Sequence, residues 1–118
     1  MAQFKEMIIK HPKPYRSSEL DLNGKWLTEI GFTIGTHVNA HFKDGCLTLS
    51  TDPTAKNNFA VLEVKPKRVR GRTRPQLLID CYMVRRLGYR IYERLGLTLN
   101  QGQIQISVIN QYTTADTA

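Results

Sequence analysis

Only two cysteines, Cys46 and Cys81, occur in 118 residues, too few for a disulfide scaffold or a cysteine-built zinc site. No stretch approaches the roughly 20 apolar residues of a membrane-spanning helix, so no membrane association is expected. From Met1 to Pro14 the only apolar run is Met7-Ile8-Ile9, with two prolines behind it, which lacks the pattern of a secretory signal. Acids are scarce as well, ten against 17 Lys and Arg. They are scattered, and a two-metal nuclease needs several carboxylates around its ions. No metal and no cofactor is therefore expected. The chain also lacks a phosphate-cradling glycine loop and a Gly-x-Ser-x-Gly motif. These absences leave a cytoplasmic, reduced, basic protein as the expectation.

The charge is present in a pattern. The formal net charge is +7, with a sequence pI near 9.7. Between Lys65 and Arg94, ten cations (Lys65, Lys67, Arg68, Arg70, Arg72, Arg74, Arg85, Arg86, Arg90 and Arg94) are opposed only by Asp80 and Glu93. The rest of the chain is close to neutral. Such a segment points to a polyanionic partner. Turn-forming residues from Asp52 to Asn58 divide the chain into residues 1–52, a basic linker or arm at 53–74, and a basic C-terminal part at 75–118.

The first part has a readable local grammar. Ser18 to Leu22 alternates as a short strand. Asn23 is a suitable N-cap for a short helix through Gly24 to Ile30, and Gly31 suits the left-handed position that ends it. His37–Phe42 and Cys46–Ser50 alternate around Lys43-Asp44-Gly45, and Asp-Gly favours the two-residue hairpin turn. With that turn, Lys43 faces Cys46, Phe42 faces Leu47 and Ala40 faces Leu49. One face of the hairpin is then apolar (Val38, Ala40, Phe42, Leu47, Leu49) and the other polar (His37, Asn39, His41, Thr48, Ser50).

The run Leu22-Asn23-Gly24-Lys25-Trp26-Leu27, followed by Gly31-Phe32, Gly35-Thr36, Val38 and Gly45-Cys46-Leu47-Thr48-Leu49, resembles the SymE-type toxins of bacterial toxin–antitoxin systems. The resemblance covers about Tyr15 to Pro53. It implies a swapped-hairpin fold like that of the AbrB/MazE superfamily, of β-rich homodimers that bind nucleic acid. It also implies a toxin that impairs RNA metabolism or translation, with endoribonuclease activity and an antisense RNA as antitoxin. A homodimer is expected on physical grounds too, since about 40 residues with three short strands cannot close a core alone. The other solution is a C-terminal half that folds back over the same apolar face.

Beyond Pro53, Phe59 to Val64 reads as a strand and Gln103 to Val108 as another. Lys65 to Arg74 has almost nothing to bury. It reads as a flexible arm following a phosphate backbone, or as a plain solvated connector. From Pro75 to about Leu95, Leu77, Cys81, Val84, Gly88, Ile91 and Leu95 make an apolar stripe of helical period, as one helix or as two broken near Gly88. The expected fold is mainly β with short helices (α+β): an AbrB-like swapped-hairpin unit plus a basic extension with a helix and a strand.

The candidate nucleic-acid contacts are Lys25, Lys65, Lys67, Arg68, Arg70, Arg72, Arg74, Arg85, Arg86 and Arg90. Tyr82, Tyr89 and Tyr92 among these arginines fit either base stacking or a half-buried amphipathic helix. Trp26 reads as the anchor of its helix and Cys46 as a packing residue. His37 and His41 are candidate general bases for RNA cleavage, although a solvated surface histidine explains either. Four residues apart on a strand, they stand about 13 Å from each other, too far to share a metal or flank one phosphate. Three functions fit these residues: a toxin acting on RNA, a non-enzymatic DNA-binding regulator or nucleoid-associated protein, and a basic module that docks an acidic protein.

Overall fold

The computed structural model describes residues 3–8, 19–89 and 94–109. Among them the elements run β1 (Gln3–Ile8), β2 (Leu20–Asn23), α1 (Lys25–Glu29), β3 (His37–Lys43), β4 (Cys46–Ser50), β5 (Ala60–Glu63), β6 (Lys65–Val69), β7 (Arg72–Ile79), α2 (Cys81–Leu87), β8 (Arg94–Asn100) and β9 (Gln103–Val108). All strand pairs are antiparallel. One sheet has six strands in the order β1-β8-β9-β4-β3-β5, and a smaller one has the order β2-β7-β6. The chain is mainly β with short helices, as the alternation predicts.

The Asp44-Gly45 hairpin forms in the expected register, Lys43 opposite Cys46 and Ala40 opposite Leu49. Both turn residues are left-handed, at φ 52 and 79. The side-chain amide of Asn58 extends the ladder: it accepts from the Phe42 N–H at 2.8 Å and donates to the Phe42 carbonyl at 3.0 Å. β5 is thereby led alongside β3. In α1 the cap is Gly24 rather than Asn23, and no side chain caps the helix. Asn23 instead ends β2, where its carbonyl receives the Trp26 indole N–H at 3.0 Å.

The inward faces of both sheets share one buried cluster. Val38, Ala40, Leu47 and Leu49 meet Leu95, Leu97, Ile104 and Ile106 from the large sheet, and Leu20, Leu22, Leu77 and Ile79 from the small one. Leu27, Phe32, Val64, Val84, Leu87, Tyr89 and Leu99 complete it. The apolar hairpin face is thus covered within a single chain, β4 pairing with β9 and β2 with β7. An undersized core was the physical reason to expect a swapped dimer, and strands from the second half of the same chain remove it.

Two expectations for that half are corrected. Residues 65–74 are not a mobile arm: they lie in β6, a turn and the start of β7, joined from Lys65 opposite Gln76 to Val69 opposite Arg72. The turn is Arg70-Gly71, both left-handed at φ 52 and 78. Nor do residues 75–95 form one helix. Leu77 and Ile79 belong to β7, and α2 holds only Cys81–Leu87. Asp80 caps α2 by accepting from the Met83 N–H at 3.0 Å, and Gly88 ends it at φ 78. Leu95 lies on β8, whose buried Leu95, Leu97 and Leu99 alternate along the strand.

Candidate nucleic-acid interface

Strand periodicity sorts the hairpin's cations into two faces, because residues two apart, and partners directly opposite, share a side. On β7, Pro75, Leu77 and Ile79 are buried, so Arg72, Arg74, Gln76 and Leu78 stand on the outward face. Lys65 and Lys67 of β6, opposite Gln76 and Arg74, share that face. Arg68, opposite Thr73, belongs to the other face, and Arg70 occupies the turn. Lys65, Arg72 and Arg74 are exposed, and among the described residues none of them has an ion-pair partner.

Lys67 is committed elsewhere. Its ammonium lies 2.7 Å from Asp21 Oδ2, while the Gln76 amide donates to Asp21 Oδ1 at 2.9 Å. Burial alone would raise the Asp21 carboxyl, but hydrogen bonds from Lys67, Gln76 and Asn23, with the Lys67 charge, hold it below its ordinary value. This pair ties β2 to the far strand of the small sheet across β7.

At the base of the cationic row the chain passes from one sheet to the other. β5 ends at Glu63 and β6 begins at Lys65. Between them, buried Val64 donates its N–H to the Thr36 carbonyl at 2.9 Å and accepts from the Gly35 N–H at 2.8 Å. His37 follows Thr36 and stands directly opposite Glu63. The two sheets meet here in a cleft of about 460 Å³. Its walls are His37, Val61, Leu62 and Glu63 from the large sheet, Lys65, Gln76 and Leu78 from the small one, and Asp80 and Met83 from the start of α2. Val61 is 56% exposed and Leu78 38%, so the cleft offers apolar surface beside its charges.

The structure therefore brings His37, Glu63 and Lys65 together and separates His37 from His41. His41 is half-buried opposite Thr48 and lines no part of the cleft; its Nδ1 is buried without a hydrogen-bond partner among the described residues. Lys25 is exposed on α1, which packs against β2 and β7. Arg85 and Arg86 are exposed on α2, and the Arg86 guanidinium sits 4.5 Å above the Phe59 ring. Tyr82 is 71% exposed. Tyr89 is buried, its hydroxyl donating toward the Ile106 and Gly45 carbonyls at 3.3 Å. Trp26 packs against the core with the Lys5 ammonium 5.2 Å from its ring. Arg90 and Tyr92 lie outside the described residues. Among the described residues no three His, Cys, Asp or Glu side chains are gathered closely enough to hold a metal ion, and no helix is long and apolar enough to cross a membrane.

Glu63 was not singled out from the sequence. Its one local signal is its place at the end of an apolar strand; its pairing with His37 depends on the connection from Thr51 to Phe59 turning β5 back along β3.

Residues 8–51 match the family described as "Toxin SymE, type I toxin-antitoxin system". Two curated relatives, each called "Endoribonuclease SymE", come from Shigella flexneri and from Shigella flexneri serotype 5b (strain 8401). Each is 30% identical over 54 residues, 46% of this chain and 48% of the relative. The chain thus spans about half the length of the curated relatives it matches. No solved structure matches it. The family match takes in β2, α1, β3 and β4, and with them His37, and ends before Glu63, Lys65 and the basic hairpin.

Proposed function

We propose, for a chain whose segment 8–51 matches the SymE toxin family, that the protein is a toxin of a bacterial toxin–antitoxin system that binds RNA and impairs RNA metabolism or translation. The observation that carries this reading is the outward row of Lys65, Arg72 and Arg74, free of acidic partners among the described residues and running from a cleft. Along β7 the cations repeat every second residue, about 6.6 Å apart at strand rise. A single-stranded backbone laid along the hairpin meets them in succession, and each neutralised phosphate releases counterions. Exposed Tyr82, Val61 and Leu78 give unpaired bases something to rest on. The relatives' name supports RNA as the polymer and cleavage as the act. An antisense RNA as antitoxin follows from the family resemblance.

Gel-shift titration over a range of salt tests the binding. Arg72→Ser combined with Arg74→Ser should weaken binding to single-stranded RNA of any sequence and flatten the salt slope by about 0.7 per lost contact. Arg68→Ser, on the other face, should change both less. Equal affinity and slope in the double variant would remove the interface. Tighter, sequence-specific binding to duplex DNA would favour a DNA-binding regulator instead.

A further inference from the structure

We infer that the cleft at the Val64 crossover is where single-stranded RNA is cut, by His37, Glu63 and Lys65 and without a metal ion. The inference rests on the RNA reading above and assigns it a site. A metal-independent ribonuclease needs a base for the 2′-hydroxyl, an acid for the leaving 5′-oxygen, and a cation facing the phosphate between them. His37 and Glu63 are direct cross-strand partners on one face, which sets their Cβ atoms about 4.5–5.5 Å apart. That spacing suits two groups flanking a single phosphate. Lys65 follows Glu63 by two residues, across the buried Val64 that fixes both strand ends to Thr36 and Gly35. Among the described residues none of the three side chains has a hydrogen-bond or ion-pair partner, so all are available to a ligand. The cleft's volume, about 460 Å³, lies within the range of small-ligand sites. Val61, Leu78 and Met83 supply an apolar wall for one base, and the cationic row leads the flanking backbone in.

The step balances with these groups alone. The 2′-oxygen of one ribose attacks the adjacent phosphorus while the Glu63 carboxylate accepts its proton. The bond from phosphorus to the 5′-oxygen breaks, its electron pair leaves with that oxygen, and the His37 imidazolium supplies the proton. Lys65 faces the non-bridging oxygens, where negative charge accumulates. The products are a 2′,3′-cyclic phosphate and a 5′-hydroxyl, and both side chains then exchange protons with water to reset.

The test incubates the full chain with an end-labelled single-stranded oligoribonucleotide in EDTA, beside the all-deoxy version and one with a single ribonucleotide. Cleavage is expected in EDTA, only 3′ of a ribonucleotide, leaving a 2′,3′-cyclic phosphate. His37→Ala and Glu63→Gln, at exposed strand ends, should each slow cleavage by about 100-fold or more. Their gel-shift affinity should stay within about twofold of wild type. Products with 3′-hydroxyl ends, loss of cleavage in EDTA, or full activity in both variants would overturn the assignment. A wild type that binds RNA and never cuts it would defeat this inference and leave the RNA-binding reading standing, whereas one that does not bind RNA defeats both.

Discussion

Asp21 joins three strands through one carboxylate. It sits on β2, holds Lys67 of β6, and takes the Gln76 amide of β7 between them. Its acidity is raised by those partners, so the carboxyl is held below its ordinary value. Its stabilising contribution is therefore fully present above the unfolded-state value near 3.8 and is lost as pH falls through the lowered one. Asp21→Asn should cost about 0.2–1 kcal/mol at neutral pH, modest because the pair is partly exposed. The gap between variant and wild type in urea denaturation should narrow as pH drops through that window. A gap unchanged down to the lowest pH would mean the pair contributes nothing. The same residue governs the charge on the cationic face, because freeing Lys67 adds a cation to it. Asp21→Asn should then bind RNA more tightly while being less stable, a combination that titration beside denaturation reads directly.

The hairpin of β6 and β7 is the element that the sequence hides best. Its turn, Arg70-Gly71, has the same left-handed pair of φ values as Asp44-Gly45, but arginine is not a residue that announces such a turn. The flanking residues bury so little that no alternation stands out, and Leu77 with Ile79 fits a helical stripe as well as a strand. The first hairpin was legible to its register because turn chemistry and alternation agree within a dozen residues. Leu95, Leu97 and Leu99 also alternate, ahead of a Gln101-Gly102 turn, yet Leu95 continues the helical period of the apolar stripe before it just as well. Of the site, the cations and His37 were readable one by one. Their sorting by face, and the partnership of His37 with Glu63, required pairings between distant segments. The turn itself is testable. A Cβ added at Gly71 meets nothing within 4 Å, so Gly71→Ala should cost about 1 kcal/mol through backbone conformation alone. A change of several kcal/mol in denaturant midpoint analysis would show that the space is not open.

For the whole molecule, one core serves both sheets. Phe32 is fully buried where the connection from α1 to β3 crosses that core, and Phe32→Ala should cost about 3–5 kcal/mol. Because strands from both halves of one chain enclose the core, the melting temperature should not depend on protein concentration, as it would if folding required a second chain. Calorimetry over a hundredfold dilution checks this, and a midpoint that climbs with concentration would return the swapped dimer to consideration.

Full burial ends at Val64, just before β6, and at Pro75 on β7. What projects beyond them is a ruler anchored near its root by the Lys67 pair with Asp21. Adding two residues to each strand would lengthen the charged track by about 6.6 Å without displacing a buried side chain. Shortening it by the same amount would leave the cleft where it is. Reach along a polymer can therefore be redesigned at the tip of the hairpin with little effect on stability, as long as Lys67 keeps its hold on Asp21.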